Sequence, residues 1–595
     1  MSPADDPQAR EPASSGTPSI SESTSEGGKH ITPKDTLGLG SGLIPASLTL
    51  GFDSSSLATP TESLLDPYVG GEVEEGLSSG RRGIRGADGP HTETDPLLDS
   101  HSSVPHGGRG EVVHIHPERD LTGVWSWPEG LKQLTALARL ASPIMVASGI
   151  QNLNSIVGIV ILGHMGTLEL AVATLALTIY SFSAIAPLLG LLTALDTLCS
   201  QASTGSRRPG MPGIYLQRCL LLCYLSFIPA IIMWWNVRPI LTYLRMDTEV
   251  VNLTAYYIRF LIPQTFVACT FEAIKKFYIA QGLHRPIAVI QITCTLVGLL
   301  FFYILAVAPV TSVGIVGIPL ANFCSYSLNL GVAIYWHQTR GRKIGWAGFS
   351  WEATKGWGRV ARLAVPGAFM VSTEVVTFDL LTLAMSYVGT TALAAQSIFM
   401  ITIQGVTLIL MSLGVVTANR VGNFLGLAMP HRARLVAWTG LGSGIACGLL
   451  MAIGLVVVRN HWGAIFNNDK QVQLIVATVI PLLSLLIVSQ ALSLLCTNIL
   501  RGQGRPQIVA VINLIVYYVI VIPAGAVSLF YFKLGIVSLW MSLLAGVWLS
   551  ALSVLYVVLR SDWDEEVVKC RHRLAHDHRR YLRESPELLS GSEAE

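Results

Sequence analysis

Residues 365–389 read VPGAFMVSTEVVTFDLLTLAMSYVG: a Pro-Gly pair, then an apolar run holding two acids, Glu374 and Asp379, and no base. At 1.5 Å per residue the run is long enough to cross the ~30 Å hydrocarbon core of a bilayer. Each ionised acid would then cost roughly 2.5 to 3.5 kcal/mol on insertion scales. Both acids therefore need a reason to be there.

Other stretches of this kind lie near 138–162, 168–195, 214–235, 255–281, 286–307 and 313–336. A second set lies near 360–387, 391–418, 433–457, 473–498, 507–530 and 536–558. Twelve spans predict an all-α integral membrane fold. Composition agrees. The 595 residues are 51% hydrophobic and 13% charged, with a positive mean hydropathy, whereas soluble domains carry about 25% charged residues. A net charge of +2 gives no sign of a nucleic-acid partner. The nine cysteines stand mostly alone in apolar stretches, with no CxxC and no secreted-framework spacing, so neither a metal site nor a disulfide is expected.

Residues 1–130 are rich in Ser, Gly, Pro, Asp and Glu and carry no cleavable signal, which predicts a disordered cytosolic extension. Within it ETDPLL places Glu93 four residues before the pair Leu97-Leu98, a spacing suited to adaptor-read sorting to an endosomal or vacuolar membrane. With the N-terminus inside, the inner connections hold seventeen Arg and Lys residues, Arg218, Arg420 and Arg501 among them, and the outer ones six. That bias places both termini in the cytosol. The sequon at Asn252 then falls in an outer loop, where a glycan could be added.

The chain also repeats itself. PIMVASG from Pro143 and PGAFMVS from Pro366 are 223 residues apart, and MGTLELAVATL from Met165 matches VGTTALAAQSI from Val388 at the same offset. HRP and GRP, ending at Pro286 and Pro506, follow at 220, and GIV at 314–316 and 535–537 at 221. Two six-helix halves inserted in the same direction must be related by an axis along the membrane normal. The domains expected are a bundle over 136–336, a cytosolic linker over 337–359, a second bundle over 360–558 and a cytosolic tail over 561–595. A cavity between halves argues for a transporter. No HExxH, GxSxG or P-loop marks the membrane region as an enzyme.

These residues resemble the multidrug and toxic compound extrusion (MATE) family in its eukaryotic branch, and its fungal members most. The similarity is carried by GHMGTLELA (163–171), GLLTALDTLCSQA (190–202), PGAFMVSTEVVTFD (366–379), LAAQSI (393–398), ANRVGNFLG (418–426), ILRGQGRP (499–506), NLIVYYVIVIP (513–523) and LGIVSLW (534–540). The resemblance implies a V-shaped antiporter of twelve helices that exports organic cations and other xenobiotics by alternating access. The exchanged ion would be a proton or, in some members, sodium, with no cofactor or metal. A sodium-coupled antiporter of the same fold and a lipid-precursor flippase are the alternatives. The flippase would need cavity arginines for pyrophosphate. A monomer in the plasma or vacuolar membrane, in contact with lipid, is expected.

Glu374 and Asp379 are five residues apart, so their side chains diverge by about 140° on a helix. One would sit at a cavity floor and the other toward the bundle interior. Loss of water favours the neutral form of a carboxylate, which brings proton uptake into the physiological range. The resemblance implies that an acid pair of this spacing is needed for transport. Glu272, in FEAIKKFYIAQG, is the first half's mid-span acid, with Lys275 and Lys276 at ion-pair spacing, and both a coupling and a structural role are open to it. Where animal members carry a functional acid before the RG motif, this chain has Gln490. The first span carries Gln151, Asn152, Asn154 and Ser155 in place of the aspartate of many prokaryotic members. Tyr517, Tyr518 and Asn513 face the second-half cavity in the family's pattern, where aromatic faces suit flat cations. Asp196 is expected as a loop or gate residue at the inner end of the second span, and Pro366 as a bend or hinge.

Overall fold

The computed structural model describes residues 127–308, 312–340, 345–388, 390–467, 469–532 and 536–584. Glu93, Leu97 and Leu98 lie outside them. All regular structure among the described residues is helical. The first six long helices are α1 (Trp127–Met165), α2 (Thr167–Gly205), α3 (Met211–Trp235), α4 (Thr248–Ala280), α5 (His284–Val307) and α6 (Gly317–Arg340). The second six are α7 (Trp357–Val388), α8 (Thr390–Gly426), α9 (Pro430–Val457), α10 (Lys470–Gln503), α11 (Pro506–Leu529) and α12 (Ile536–Leu559). A last helix, α13 (Trp563–Glu584), follows.

Eleven of these are long and apolar enough to cross a bilayer. The expected twelfth, α4, is long enough at 33 residues but carries too many charges to read as apolar. Those charges are placed with care: Arg259 stacks on the Trp235 ring at 5.1 Å, and Glu272, Lys275 and Lys276 turn into the bundle. The helix ends follow local chemistry. Asp469 caps α10 by accepting from the amide of Gln471, and Gly504, at φ +83, turns the chain where α10 stops. Pro430 and Pro506 open α9 and α11, where a missing amide proton costs nothing. Large apolar side chains such as Leu450, Ile453 and Leu474 stand outward, as a lipid-facing surface requires.

Each half repeats one neighbour pattern. In the first, α1 packs on α5, α5 on α6, α6 on α4, and α4 on both α2 and α3. In the second, α7 packs on α11, α11 on α12, α12 on α10, and α10 on both α8 and α9. The joint between halves is equally symmetric: α2 lies against α8, α1 against α8, and α7 against α2. Its hydrogen bonds gather at the end that carries the Arg-rich connections. There Gln201 Nε2 donates to the Gly502 carbonyl at 2.9 Å, Ser203 Oγ to Asn423 Oδ1 at 3.1 Å and Thr204 Oγ1 to the Asn423 carbonyl at 2.8 Å. Glycines permit the approach. A Cβ on Gly205 would stand 2.6 Å from the Gly426 carbonyl oxygen. The two halves are sealed at this basic end.

Several expectations need correcting. Residues 127–130 are the start of α1 rather than extension, and Gln133 is already buried, accepting from Arg420 at 3.2 Å. Arg218, Arg420 and Arg501, expected in connections, are all buried, because the ends of their helices face other helices instead of water. Asn252 lies in the second turn of α4 and not in a loop; it is exposed, while Thr254 of the same sequon is fully buried. Residues 563–584, expected as part of a tail, form α13, which docks on α8, α9 and α2.

Candidate functional site

Proline and glycine set the course of α7. Pro366 removes an amide from the helix ladder, and a Cβ on Gly367 would meet the Gly190 carbonyl oxygen at 2.5 Å. This close crossing of α7 and α2 fixes the helix two turns before its first acid. Glu374 then turns toward α10, where Gln490 Nε2 donates to Glu374 Oε1 at 3.4 Å and to Thr407 Oγ1 of α8 at 3.3 Å. Among the described residues no cation stands within ion-pair distance of Glu374; Arg501, buried at the sealed seam, is within its electrostatic reach. Asp379, further along α7, is exposed. Of the two acids, Glu374 is the more interior.

The first half holds a counterpart in different dress. Glu272 of α4 forms an ion pair with Lys275 at 2.7 Å and accepts from Gln151 Nε2 of α1 at 3.1 Å. Gln151 also donates to Tyr326 of α6 at 3.0 Å and accepts from Gln291 of α5. Gln151 and Glu374 differ by 223 residues (374 − 151), the offset of the repeat. In each half, then, a glutamine and a glutamate join the first helix to the fourth, with acid and amide exchanged. Only the first-half acid carries its own cation.

Asp196 is not a loop residue. It lies within α2, fully buried at the seam, and Lys276 Nζ reaches its Oδ2 at 2.7 Å. Lys276 therefore serves Asp196, while Lys275 serves Glu272. One oxygen of Asp196 has no partner, and Arg501 of the opposite half is within its electrostatic reach. Tyr517 and Tyr518 do not share a face: Tyr517 is buried and within reach of Glu374, and Tyr518 is largely exposed. Adjacent helical residues point about 100° apart, and this segment, Ile515–Val521, is wound as a π-helix. Asn513 is buried and accepts from Ser550 of α12 at 2.9 Å.

Sequence reasoning placed Lys275 at ion-pair spacing from Glu272 but missed the polar partners on other helices. Thr407, Gln291 and Tyr326 are ordinary polar residues in apolar runs and carry no signal of their own. Gln151 did carry one, its position opposite Glu374 in the repeat.

The chain matches the MatE family model twice, over residues 143–304 and 366–527. The matched segments begin 223 residues apart (366 − 143), at Pro143 and Pro366. An uncharacterized transporter of Schizosaccharomyces pombe is 33% identical over 437 residues, covering 73% of this chain and 81% of that one. Multidrug and toxin extrusion protein 2 of Mus musculus is 32% identical over 441 residues, covering 73% and 76%. The crystal structure of the eukaryotic MATE transporter AtDTX14 superposes with a TM-score of 0.69 at 25% identity, over 75% of this chain and 99% of that one. With a twofold match to one family model, relatives over 73% of the chain and a helical fold to agree, this chain belongs to the MatE family, multi-pass membrane transporters of multidrug and toxic compound extrusion.

Proposed function

We propose that this chain is a proton-coupled antiporter that exports organic cations by rocking its two halves about the α2–α8 joint. The observation that carries this is the unequal provision for the two interior acids. Glu272 is neutralised by Lys275 at 2.7 Å, whereas Glu374 has only the amide of Gln490 at 3.4 Å. A half-buried carboxylate with no cation of its own gains by taking one up or by taking up a proton. When Glu374 is ionised it attracts an organic cation; when protonated it lets that cargo leave. The two occupants exclude each other, and that exclusion is the coupling.

Gln490 donates its amide N–H to Glu374, an arrangement that suits a carboxylate that binds and releases a proton. The lipid-precursor alternative gains little from the buried arginines. Arg218 is held by Glu352, Arg420 by Gln133 and Arg501 by Asn498, all at the sealed end and not in a cavity. Asp379, exposed on α7, would be the relay between Glu374 and the open side. A monomer with both termini cytosolic fits this reading, as does sorting to a vacuolar or plasma membrane through Glu93, Leu97 and Leu98.

The test is uptake of a small organic cation such as tetraethylammonium into vesicles reconstituted with the full chain. An imposed proton gradient should drive uptake and a sodium gradient should not. Uptake driven by sodium alone would overturn the assigned ion and leave the fold untouched.

A further inference from the structure

The last helix is built to be held. Asp562 caps it, accepting from the amide of Asp564 at 3.0 Å, and Asp564, Glu565 and Glu566 fill a first turn where the helix dipole favours acids. Trp563, Glu566, Val567, Cys570 and Asp577 are buried, with spacings that put them along one stripe. Two of these five are acids, an unusual choice for a buried face unless partners wait for them.

The partners come from both halves. On the second-half side, Arg505 reaches Glu566 at 3.4 Å, Arg573 Nη2 donates to the Gln503 carbonyl at 2.9 Å, and Arg359 at the start of α7 pairs with Asp577. Arg359 also meets His576 Nδ1 at 2.7 Å. On the first-half side, the Tyr215 hydroxyl of α3 donates to the other oxygen of Asp577. Leu574 lies over Gly205 where α2 ends, so a Cβ there would stand 2.8 Å from it. One buried carboxylate is therefore shared between α3 of one half and α7 of the other, beside the seam that closes the basic end.

We propose that α13 is a staple that holds the basic end of the transporter shut, with Asp577 as the residue that joins the two halves. Among the described residues, Arg505, Arg573 and Arg359 tie α13 to the second half, while the Tyr215 phenol and the Leu574–Gly205 contact tie it to the first. Opening this end must break the Tyr215–Asp577 bond and lift Leu574 off Gly205, while α13 travels with the second half. The inference rests on the halves moving against each other, as proposed above.

The experiment uses the full chain in nanodiscs with Ala202→Cys as a reporter, since Ala202 is buried in the seam. The rate at which a water-soluble maleimide modifies that position is followed by peptide mass spectrometry. Tyr215→Phe removes one hydroxyl bound to a charged acceptor and should speed modification by about 10-fold or more. Asp577→Asn should do the same, and removal of residues 561–595 should do at least as much. A separate variant, Gly190→Ala, forces α2 and α7 apart without touching α13. A rate that rises with Gly190→Ala but stays within twofold for all three α13 variants overturns the staple alone. A rate that responds to none of them overturns the rocking motion as well.

Discussion

Substituting Gly190 by alanine tests the sealed end with a single methyl group. The added Cβ would lie 2.3 Å from the Ala368 Cα, 2.5 Å from the Gly367 carbonyl oxygen and 2.7 Å from the Ala368 nitrogen. All three are backbone atoms, so no side chain can swing aside. Ordinary contact begins at 3.4 Å, which requires α2 and α7 to separate by about 1.1 Å (3.4 − 2.3) at this level. Overpacking of this kind costs roughly 1–3 kcal/mol. The cost falls only on the state in which α2 and α7 touch, so the balance with a state open at this end shifts by roughly 5- to 150-fold. Spin labels at the basic ends of α3 and α9 would report the change as a longer distance between halves. Cargo uptake should fall in step, while the melting temperature in detergent moves little. An unchanged distance distribution, together with a melting temperature lowered by several degrees, would refute the reasoning. The glycine would then be a packing residue within one rigid body.

Further substitutions probe the interior acids and the sequon at Asn252. Glu272→Gln leaves Lys275 buried without its acid, which should destabilise the protein by ~3 kcal/mol; adding Lys275→Met should recover most of the lost thermal stability in a detergent melt. Gln490→Leu removes the donor to both Glu374 and Thr407 and should slow initial cation uptake about tenfold, the loss of one bond to a charged group, with the fold retained. Asn252→Gln should leave electrophoretic mobility unchanged, as should endoglycosidase treatment of the wild type, because the Thr254 hydroxyl is buried in α4.

What could be read from the chain alone follows from what bilayers demand. Spans such as Pro430–Val457 announce themselves because lipid tolerates few charges over twenty residues. The run over 255–281 was legible as a span by its length and its many apolar residues, although the charges of α4 make it less apolar than the other eleven. Glu374 stood out because an acid without a base in an apolar run is costly. Its environment did not, since Gln490 is 116 residues distant on α10 and Thr407, which Gln490 also reaches, lies on a third helix, and hydrogen-bond partners carry no periodicity. Arg501 misled for a physical reason. A basic residue at a helix end reads as a loop residue when the only alternative considered is water, and here a second half waits at that end. α13 was legible as a stripe, Trp563, Glu566, Val567, Cys570 and Asp577, yet its net basic charge made it look like a solvated tail.

The symmetry between halves gives those details a common meaning. Gln151 and Glu374 occupy equivalent places, and each is bonded to the fourth helix of its own half. A gene duplication would have begun with identical pairs. In the present chain one pair carries a built-in cation and the other does not, so one half holds and the other exchanges.

That division is tested most directly by comparing Glu374→Gln with Glu272→Gln in vesicles under an imposed proton gradient, each normalised to folded protein. Glu374→Gln should abolish gradient-driven cation exchange, and Glu272→Gln should keep most of it per folded molecule. Exchange that survives in Glu374→Gln, or is lost in Glu272→Gln at full folding, would contradict the account.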